Sequence, residues 1–426
     1  MTVPQFVSRE ILAQIFSKES VEEVAKRLQP VSPDEQPLSS NIPFPAKWDK
    51  EAQKERLKVL AESGMNFEYI NGKKKFDDPL KLQGNIENFI GMAQVPVGVV
   101  GPLRIKGLYA NDDFYVPLAT TEGALVASYN RGAKVISHSG GAITACLTER
   151  VSRAPGFVFN SLIEVGKFLL WAVNKFDAFK DVAKTTTRYG VLEDMKANIV
   201  GNQIILIFEY TTGDAAGQNM VTIATDAVYQ YILRNSPIKP VYHFLESNMS
   251  GDKKATMLSF LFVRGKKVTS EVVIPKKIVK SYLHTTPEMM MEYSKISAVG
   301  GIQSGSIGVH GHYANALAGI FIACGQDAAC VSEASIGISR MDMVRNGDLY
   351  MSVTLPNLIV GTVGGGTNLP TQRECLQMLG CVGKGTSRKF AEICAATVLA
   401  GEISIIGALA AGDFAKAHQT YGRKKV

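Results

Sequence analysis

Six short segments of this 426-residue chain carry residue types whose spacing could support chemistry. In residues 120–128, TTEGALVAS, Glu122 stands beside a glycine at the start of an apolar helical pattern. An isolated buried carboxylate is costly, so this group is either satisfied by amides at a helix start or kept protonated with a raised pKa. In the second case it can donate a proton at neutral pH. Residues 251–255, GDKKA, read as a surface turn or, folded into a site, as an ammonium group able to stabilise an oxyanion. Residues 324–330, CGQDAAC, place Asp327 inside an apolar stretch, an unusual buried charge of the kind that gathers at functional sites. Residues 213–220, GDAAGQNM, form a turn with Asn219 placed to cap the next helix. A helix N-terminus suits a phosphate or pyrophosphate, and an ordinary capped turn is the other reading. The glycine-rich run 361–368, GTVGGGTN, either approaches a ligand closely or is a structural turn. His418, in DFAKAH near the chain end, reads on its own as a solvated surface group. No GxGxxG follows a strand and opens a helix, which speaks against a standard Rossmann dinucleotide site.

The elements that must position these residues follow from periodicity. Ser8 is expected to open a helix with apolar residues at 11, 12, 15 and 16, and Ser20 with Glu23 forms a capping box for a second. Five prolines between Pro30 and Pro45 mark a linker-like loop. The run VPVGVVGPL predicts a strand and turn, and residues 122–135 carry helical spacing. Residues 155–245 differ in texture, with apolar helices, a strand at 204–210 and a helix from about Val221 to Leu233, and they suggest an inserted α/β domain. Val268–Ile274 predicts another strand, ended by Pro275. The expected division is therefore 1–90 helical, 91–154 and 246–426 as two parts of a large domain, and 155–245 as the insert.

Composition narrows the classes of function. The chain is 46% hydrophobic and 20% charged, which is globular, and its net charge of +7 suits an anionic small molecule. No basic block is long enough to argue for nucleic acid. The six cysteines form no CxxC pair and read as buried free thiols of a reducing compartment. Histidines and cysteines show no metal-site spacing, so no metal is expected. Residues 393–412 are the most apolar, but Glu402 interrupts them, and they read as a buried core helix rather than a membrane span. Nothing at the N-terminus has signal-peptide character, and a soluble, cytoplasmic protein without a membrane anchor is expected.

In order and spacing these segments resemble the catalytic portion of the hydroxymethylglutaryl-CoA reductases, of the soluble, class I-like type. The matching runs are ENFIG from Glu87, PVGVVGPL, ATTEGALVAS, NRG, GDAAGQNM, GDKKA, ACGQDAA, the block GTVGGGTNLPTQRECLQMLG, and LAAGDFAKAH. They cover essentially residues 87–418. The resemblance implies Glu122, Lys253, Asp327 and His418 as the catalytic glutamate, lysine, aspartate and histidine. It places Arg153, Asp252, Lys254, Lys295 and Asn315 at the substrate carboxylate, and Asn130, Arg131 and His312 near the CoA and acyl sites. Asp214, Gly217, Asn219 and Met220 match the dinucleotide loop. Arg188 matches an arginine near the 2′-phosphate, which favours NADPH because a guanidinium pairs bidentately with phosphate.

What the resemblance implies is an enzyme of the mevalonate pathway of isoprenoid biosynthesis that converts HMG-CoA to mevalonate and free CoA by two NADPH-dependent hydride transfers. Lys253 would stabilise the oxyanion, His418 would protonate the departing CoA thiolate, Glu122 would act as general acid, and Asp327 would couple Glu122 to Lys253. The implied fold is α/β, with an N-terminal helical segment, a large domain around a long buried helix, and an inserted small ferredoxin-like dinucleotide-binding domain. A homodimer or higher homo-oligomer with the site between subunits is also implied. Ala216 and Gln218 depart from two methionines usual in the eukaryotic-like class, His284 replaces a lysine near CoA, and ESNMS before DKK leaves a serine contact open between Glu246 and Ser247. Two alternatives remain beside this reading. One is NAD-dependent mevalonate breakdown, against which Arg188 argues. The other is a silent acyl-CoA-binding paralogue, which would not need all four catalytic residue types.

Overall fold

In a computed structural model that describes residues 5–16, 20–62, 64–344 and 346–414, local sequence signals become elements where their partners are near in the chain. Ser20 and Glu23 close the capping box of helix Val21–Arg27, each side chain taking the other's backbone N–H at 3.2 and 2.8 Å. The preceding helix spans Gln5–Phe16, so Ser8 lies inside it rather than opening it. The proline-rich segment has no regular structure, but it is fastened down. Arg104, almost fully buried, donates to the carbonyls of Val31, Gln36 and Pro37 and pairs with Asp113. Further on, both carboxylate oxygens of Glu374 accept from the amides of Glu68, Tyr69 and Ile70, at 2.8, 2.9 and 2.8 Å. Two buried side chains from the later chain thus hold the parts of residues 30–90 that lie outside helices Lys50–Ala61 and Pro79–Leu82.

Among the described residues eleven strands follow: β1 (Val97–Gly107), β2 (Asn111–Ala119), β3 (Ala142–Arg153), β4 (Gly156–Val158), β5 (Val191–Val200), β6 (Gln203–Thr211), β7 (Tyr242–Phe244), β8 (Gly265–Ile274), β9 (Gly308–Val309), β10 (Gly337–Met343) and β11 (Leu349–Leu358). They run in the order β7-β4-β6-β3-β8-β11-β10-β9, with β1 joining β2 and β3, and β5 joining β6. β3 belongs to both halves. Residues 143–150 pair antiparallel with β8, and Val151–Arg153 pair antiparallel with β6. The chain therefore leaves one core and enters another without breaking the strand.

The first core surrounds helix Ser387–Ala410, whose residues are almost all buried against β3, β8 and β11 and against helices Leu125–His138 and Tyr313–Ala323. By length and composition this is the one helix among the described residues able to span a membrane, but 83% of its most apolar window is buried inside the protein. The expectation of a core helix holds, and its two glutamates have a structural use. Glu392 accepts from the amides of Tyr109, Ala110 and Cys146, and Glu402 from those of Gly311 and His312 and from the Ser339 hydroxyl. The second core is aromatic, with Phe157, Phe159, Phe168, Phe179 and Phe208 packed between β4–β6 and helices Leu162–Asn174, Phe176–Lys184 and Gln218–Asn235. The architecture is α/β with a long buried helix at its centre, as expected. All six cysteines are buried and unpaired.

Candidate active site

Lys253 sits in the turn before β8 with a backbone φ of 56°, a left-handed conformation that a lysine rarely adopts. Its Nζ lies 3.0 Å from Asp327 Oδ2, so the GDKKA and GQDAA segments meet in a direct ion pair. The hydrogen bond to Asp327 holds the Lys253 ammonium above the usual lysine range, against the effect of burial. For Asp327, burial opposes the charge, yet the bonds from Lys253 and from the Ala329 amide hold its carboxyl below the usual range. Both groups are about half exposed, with 46% and 42% of their side chains accessible, so a substrate can reach them.

Behind this pair lies a buried charge network that the sequence did not announce. Arg153 Nη1 bonds Asp252 Oδ2 at 2.9 Å, and Arg264 Nη2 bonds Asp252 Oδ1 at 2.8 Å. Arg264 Nη1 meets Glu333 Oε2 at 2.5 Å, and Glu333 has no exposure at all. Burial pushes the Glu333 carboxyl upward, and the Arg264 guanidinium opposes that shift. Arg153 and Asp252, assigned by resemblance to the substrate carboxylate, are therefore engaged with one another at the edge of the site. Beside them, Ser247 donates to the carbonyl of Ala154 at 2.7 Å, whereas Glu246 reaches 4.0 Å from Arg153.

Glu122 is exposed, in the turn leading into helix Leu125–His138. It lines a cavity of about 450 Å³ with Tyr129, Arg131, His312 and Asn315. Lys253 and Asp327 are not among the lining residues of that cavity. Arg131 is fixed by bonds from its Nε and Nη2 to the hydroxyl and carbonyl of Ser404, at 3.1 and 2.8 Å. His312 Nδ1 lies 2.9 Å from the Tyr129 hydroxyl, and its own amide is held by Glu402. Asn130 instead serves the backbone, where its Oδ1 accepts the Gly101 amide at 3.0 Å and secures the bend in β1. Lys295 pairs with Glu292 on the exposed face of helix Pro287–Gln303, away from the cavity, and Lys254 turns back to the Asp252 carbonyl. His418 lies outside the described residues.

At the dinucleotide loop one expectation is corrected. Helix Gln218–Asn235 begins at Gln218 with Gly217 as its N-cap, so Asn219 is inside the first turn and caps nothing. Gly217 takes the N-cap position at a φ of 82° and has no side chain to offer, so among the described residues no side chain caps the first amides. The Thr187 hydroxyl donates to Met220 Sδ at 2.9 Å, fastening the loop that holds exposed Arg188 to this helix start. Asp214 faces inward, accepting from the amides of Gly385 and Ser387 at 2.7 and 3.1 Å. Burial opposes its charge, but those amides hold its carboxyl below the usual range.

The glycine-rich block touches protein as well as open space. A Cβ on Gly361 would lie 2.4 Å from the Ala216 nitrogen, and one on Gly325 would lie 2.2 Å from the Gly366 carbonyl oxygen. These glycines let the 213–220, 324–330 and 361–368 segments pack backbone to backbone. Gly364 and Gly365 meet nothing within 4 Å. Sequence reading missed Arg264 and Glu333 as members of the site, and met Gln218 only as a departure from a usual methionine. The available signal was a glutamate in the run VSEAS between apolar elements; the buried charge expected at Asp327 is found at Glu333 instead, since Asp327 is 42% exposed.

Comparisons with known proteins agree on one family. The family model described as hydroxymethylglutaryl-coenzyme A reductase matches residues 52–423. The chain is 44% identical over 354 residues to the 3-hydroxy-3-methylglutaryl-coenzyme A reductase of Pyrococcus horikoshii, covering 81% of this chain and 86% of that protein. It is 47% identical over 374 residues to the reductase of Aeropyrum pernix, covering 86% of each. Among solved structures, a class II reductase of Streptococcus pneumoniae bound to NADPH in open conformations is similar in fold, with a TM-score of 0.68 at 18% identity. That likeness spans 85% of this chain and 99% of the other.

Proposed function

This chain belongs to the hydroxymethylglutaryl-coenzyme A reductase family, and on that basis we infer how its own residues divide the work of reducing HMG-CoA to mevalonate and free CoA. The observation that carries the assignment is the Lys253–Asp327 pair at 3.0 Å. An ammonium group kept charged by a neighbouring carboxylate, yet half open to solvent, is suited to negative charge developing on a carbonyl oxygen. Asp327 keeps that ammonium charged and aimed. Glu122, at the rim of the 450 Å³ cavity, is the proton donor to the reduced carbonyl oxygen. His418 is assigned to protonate the departing thiolate, whose ordinary pKa of roughly 8.5 would otherwise favour reversal.

NADPH, when bound, supplies the two hydrides. The residues that would hold it are Arg188, Gly217, Asn219 and Met220, with Asp214 bracing their loop from behind. The uncapped start of helix Gln218–Asn235 supports this fit, since its free amides and positive dipole end suit a phosphate. Arg188, anchored next to it through Thr187, adds the guanidinium that a 2′-phosphate needs. Arg131, His312 and Asn315 line the acyl-CoA side, and Asn130 positions the strand beside them.

A homo-oligomer follows from the same reading. Glu122 lines one cavity while Lys253 and Asp327 stand outside it, and Lys295 projects from a helix that also exposes Met289, Ile296, Val299 and Ile302. A second subunit would cover those apolar groups and complete the site. The test is loss of nicotinamide absorbance with HMG-CoA and either NADPH or NADH. Two NADPH consumed per HMG-CoA, faster than NADH, supports the assignment. A preference for NADH removes the role given to Arg188, and no consumption with either removes the enzymatic reading.

A further inference from the structure

We propose that Arg264 and Glu333 form a positioning pair for Lys253, and that Gln218 connects the first turn of the dinucleotide-loop helix to the same pair. Docking of that helix and setting of the lysine are then one event. The proposal rests on the reading of Lys253 as the ammonium group at the reacting carbonyl.

Lys253 is held in an uncommon backbone conformation. A non-glycine residue at φ 56° stays there only when its surroundings over-determine it. Both polar atoms of its own main chain are held by one short segment. Its N–H donates to Glu333 Oε1 at 3.1 Å, and its carbonyl accepts from the Ser332 hydroxyl at 2.7 Å. Glu333 has no solvent contact, so its other oxygen needs a partner inside the protein, and Arg264 Nη1 provides it at 2.5 Å. Arg264 is itself placed by its backbone N–H, which donates to Asn357 Oδ1 at 2.8 Å.

The remaining fork of Arg264 points in two directions. Nη2 bonds Asp252 Oδ1 at 2.8 Å, next in the chain to Lys253, and Gln218 Oε1 at 2.6 Å, the first residue of helix Gln218–Asn235. The guanidinium therefore ties three segments far apart in sequence: the helix start, the lysine turn and the 331–334 turn. Its Nε is buried and has no partner among the described residues, so its orientation rests on the bonds of the terminal nitrogens. Moving the helix start withdraws the Gln218 carbonyl from a guanidinium that is almost fully buried. Arg264 must then shift, and Glu333 and the Lys253 peptide shift with it. A methionine at position 218 would offer only a weak sulfur acceptor and would loosen this link without touching the charges.

The closing experiment uses the full-length protein and two readouts. The first is amine acylation of Lys253 by a small active ester without substrate, followed by mass spectrometry, with exposed Lys276 as internal reference. Glu333→Gln, Arg264→Met and Gln218→Met should raise Lys253 labelling relative to Lys276, because a released backbone frees the ammonium from Asp327. The second is steady-state kinetics. Each variant should lose kcat, by about a hundredfold for Glu333→Gln, with KM for both substrates changed far less. Adding Glu333→Gln to Lys253→Ala should cost nothing further, since the pair acts through the lysine. Unchanged labelling, or an equal loss of kcat in the Lys253→Ala background, overturns the proposal. If Arg264→Met does not fold, the Gln218→Met labelling decides. If the wild-type protein does not reduce HMG-CoA, the functional reading falls while the labelling still tests the positioning pair.

Discussion

Two glycines in the middle of helices should respond to alanine with opposite signs, and the structure sets the size of each response. Gly132 lies in helix Leu125–His138 where it crosses the core helix, and Gly166 lies on the exposed side of helix Leu162–Asn174. Helix propensity alone favours alanine at both sites by about 0.8–1 kcal/mol. A Cβ at 166 meets nothing within 4 Å, so Gly166→Ala should realise that gain. A Cβ at 132 would lie 1.8 Å from the carbonyl oxygen of Ala400 and 2.8 Å from its Cα. Carbon and carbonyl oxygen settle at roughly 3.3–3.6 Å, so the two helices must separate by about 1.5–1.8 Å from the 1.8 Å contact. The atoms in the way are backbone and cannot rotate aside. Overpacking of this kind costs about 3 kcal/mol or more, and after the propensity gain about 2 kcal/mol of destabilisation remains. The same movement carries Tyr129 and Arg131 off the cavity wall and away from Ser404, and a displacement of that size should reduce kcat about a hundredfold. Urea denaturation of both variants, with activity measured on the folded material, checks this. Equal stabilisation by the two substitutions would refute the packing argument, because propensity would then be the whole effect.

Glu392 is buried among amide donors, and burial pushes its carboxyl up to about 7 from the ordinary 4.5. Between those values the folded protein holds a proton that the unfolded chain has released, so this group's contribution to stability falls as pH rises from 4.5 to about 7 and then levels off. Denaturation midpoints of wild type against Glu392→Gln across that interval should show the slope in the wild type only, with the variant less stable by about 1–3 kcal/mol because its NH2 faces other donors. Lys253→Met should leave the thermal midpoint within a degree or two, since the side chain is half exposed, and should lower kcat about 10²–10³-fold in the reductase assay. Arg188→Ala should lower kcat/KM for NADPH by about tenfold or more and leave that for NADH unchanged, a split read directly from parallel assays with the two cofactors.

The local grammar of the chain was legible without coordinates. The Ser20–Glu23 capping box, the strand around Ile204–Tyr210 and the apolar helix before Gly412 each depend on residues a few positions apart, whose periodicity survives in any single sequence. The motif residues Glu122, Lys253 and Asp327 stood out only through the resemblance of their segments to a known family, because each taken alone also reads as an ordinary turn or helix start. What the sequence could not contain is which distant backbone each buried charge serves. Glu374 reaches back to Glu68–Ile70, Glu392 to the turn at Tyr109, and Arg264 to Gln218, Asp252 and Glu333. Asn219 looked like a cap, but Gly217 with a positive φ takes the N-cap position two residues earlier. The physical reason is common to these cases. A buried polar group must be satisfied, yet the identity of its partner is set by how sheets and helices stack, and that stacking has no repeat in the sequence from which to read it.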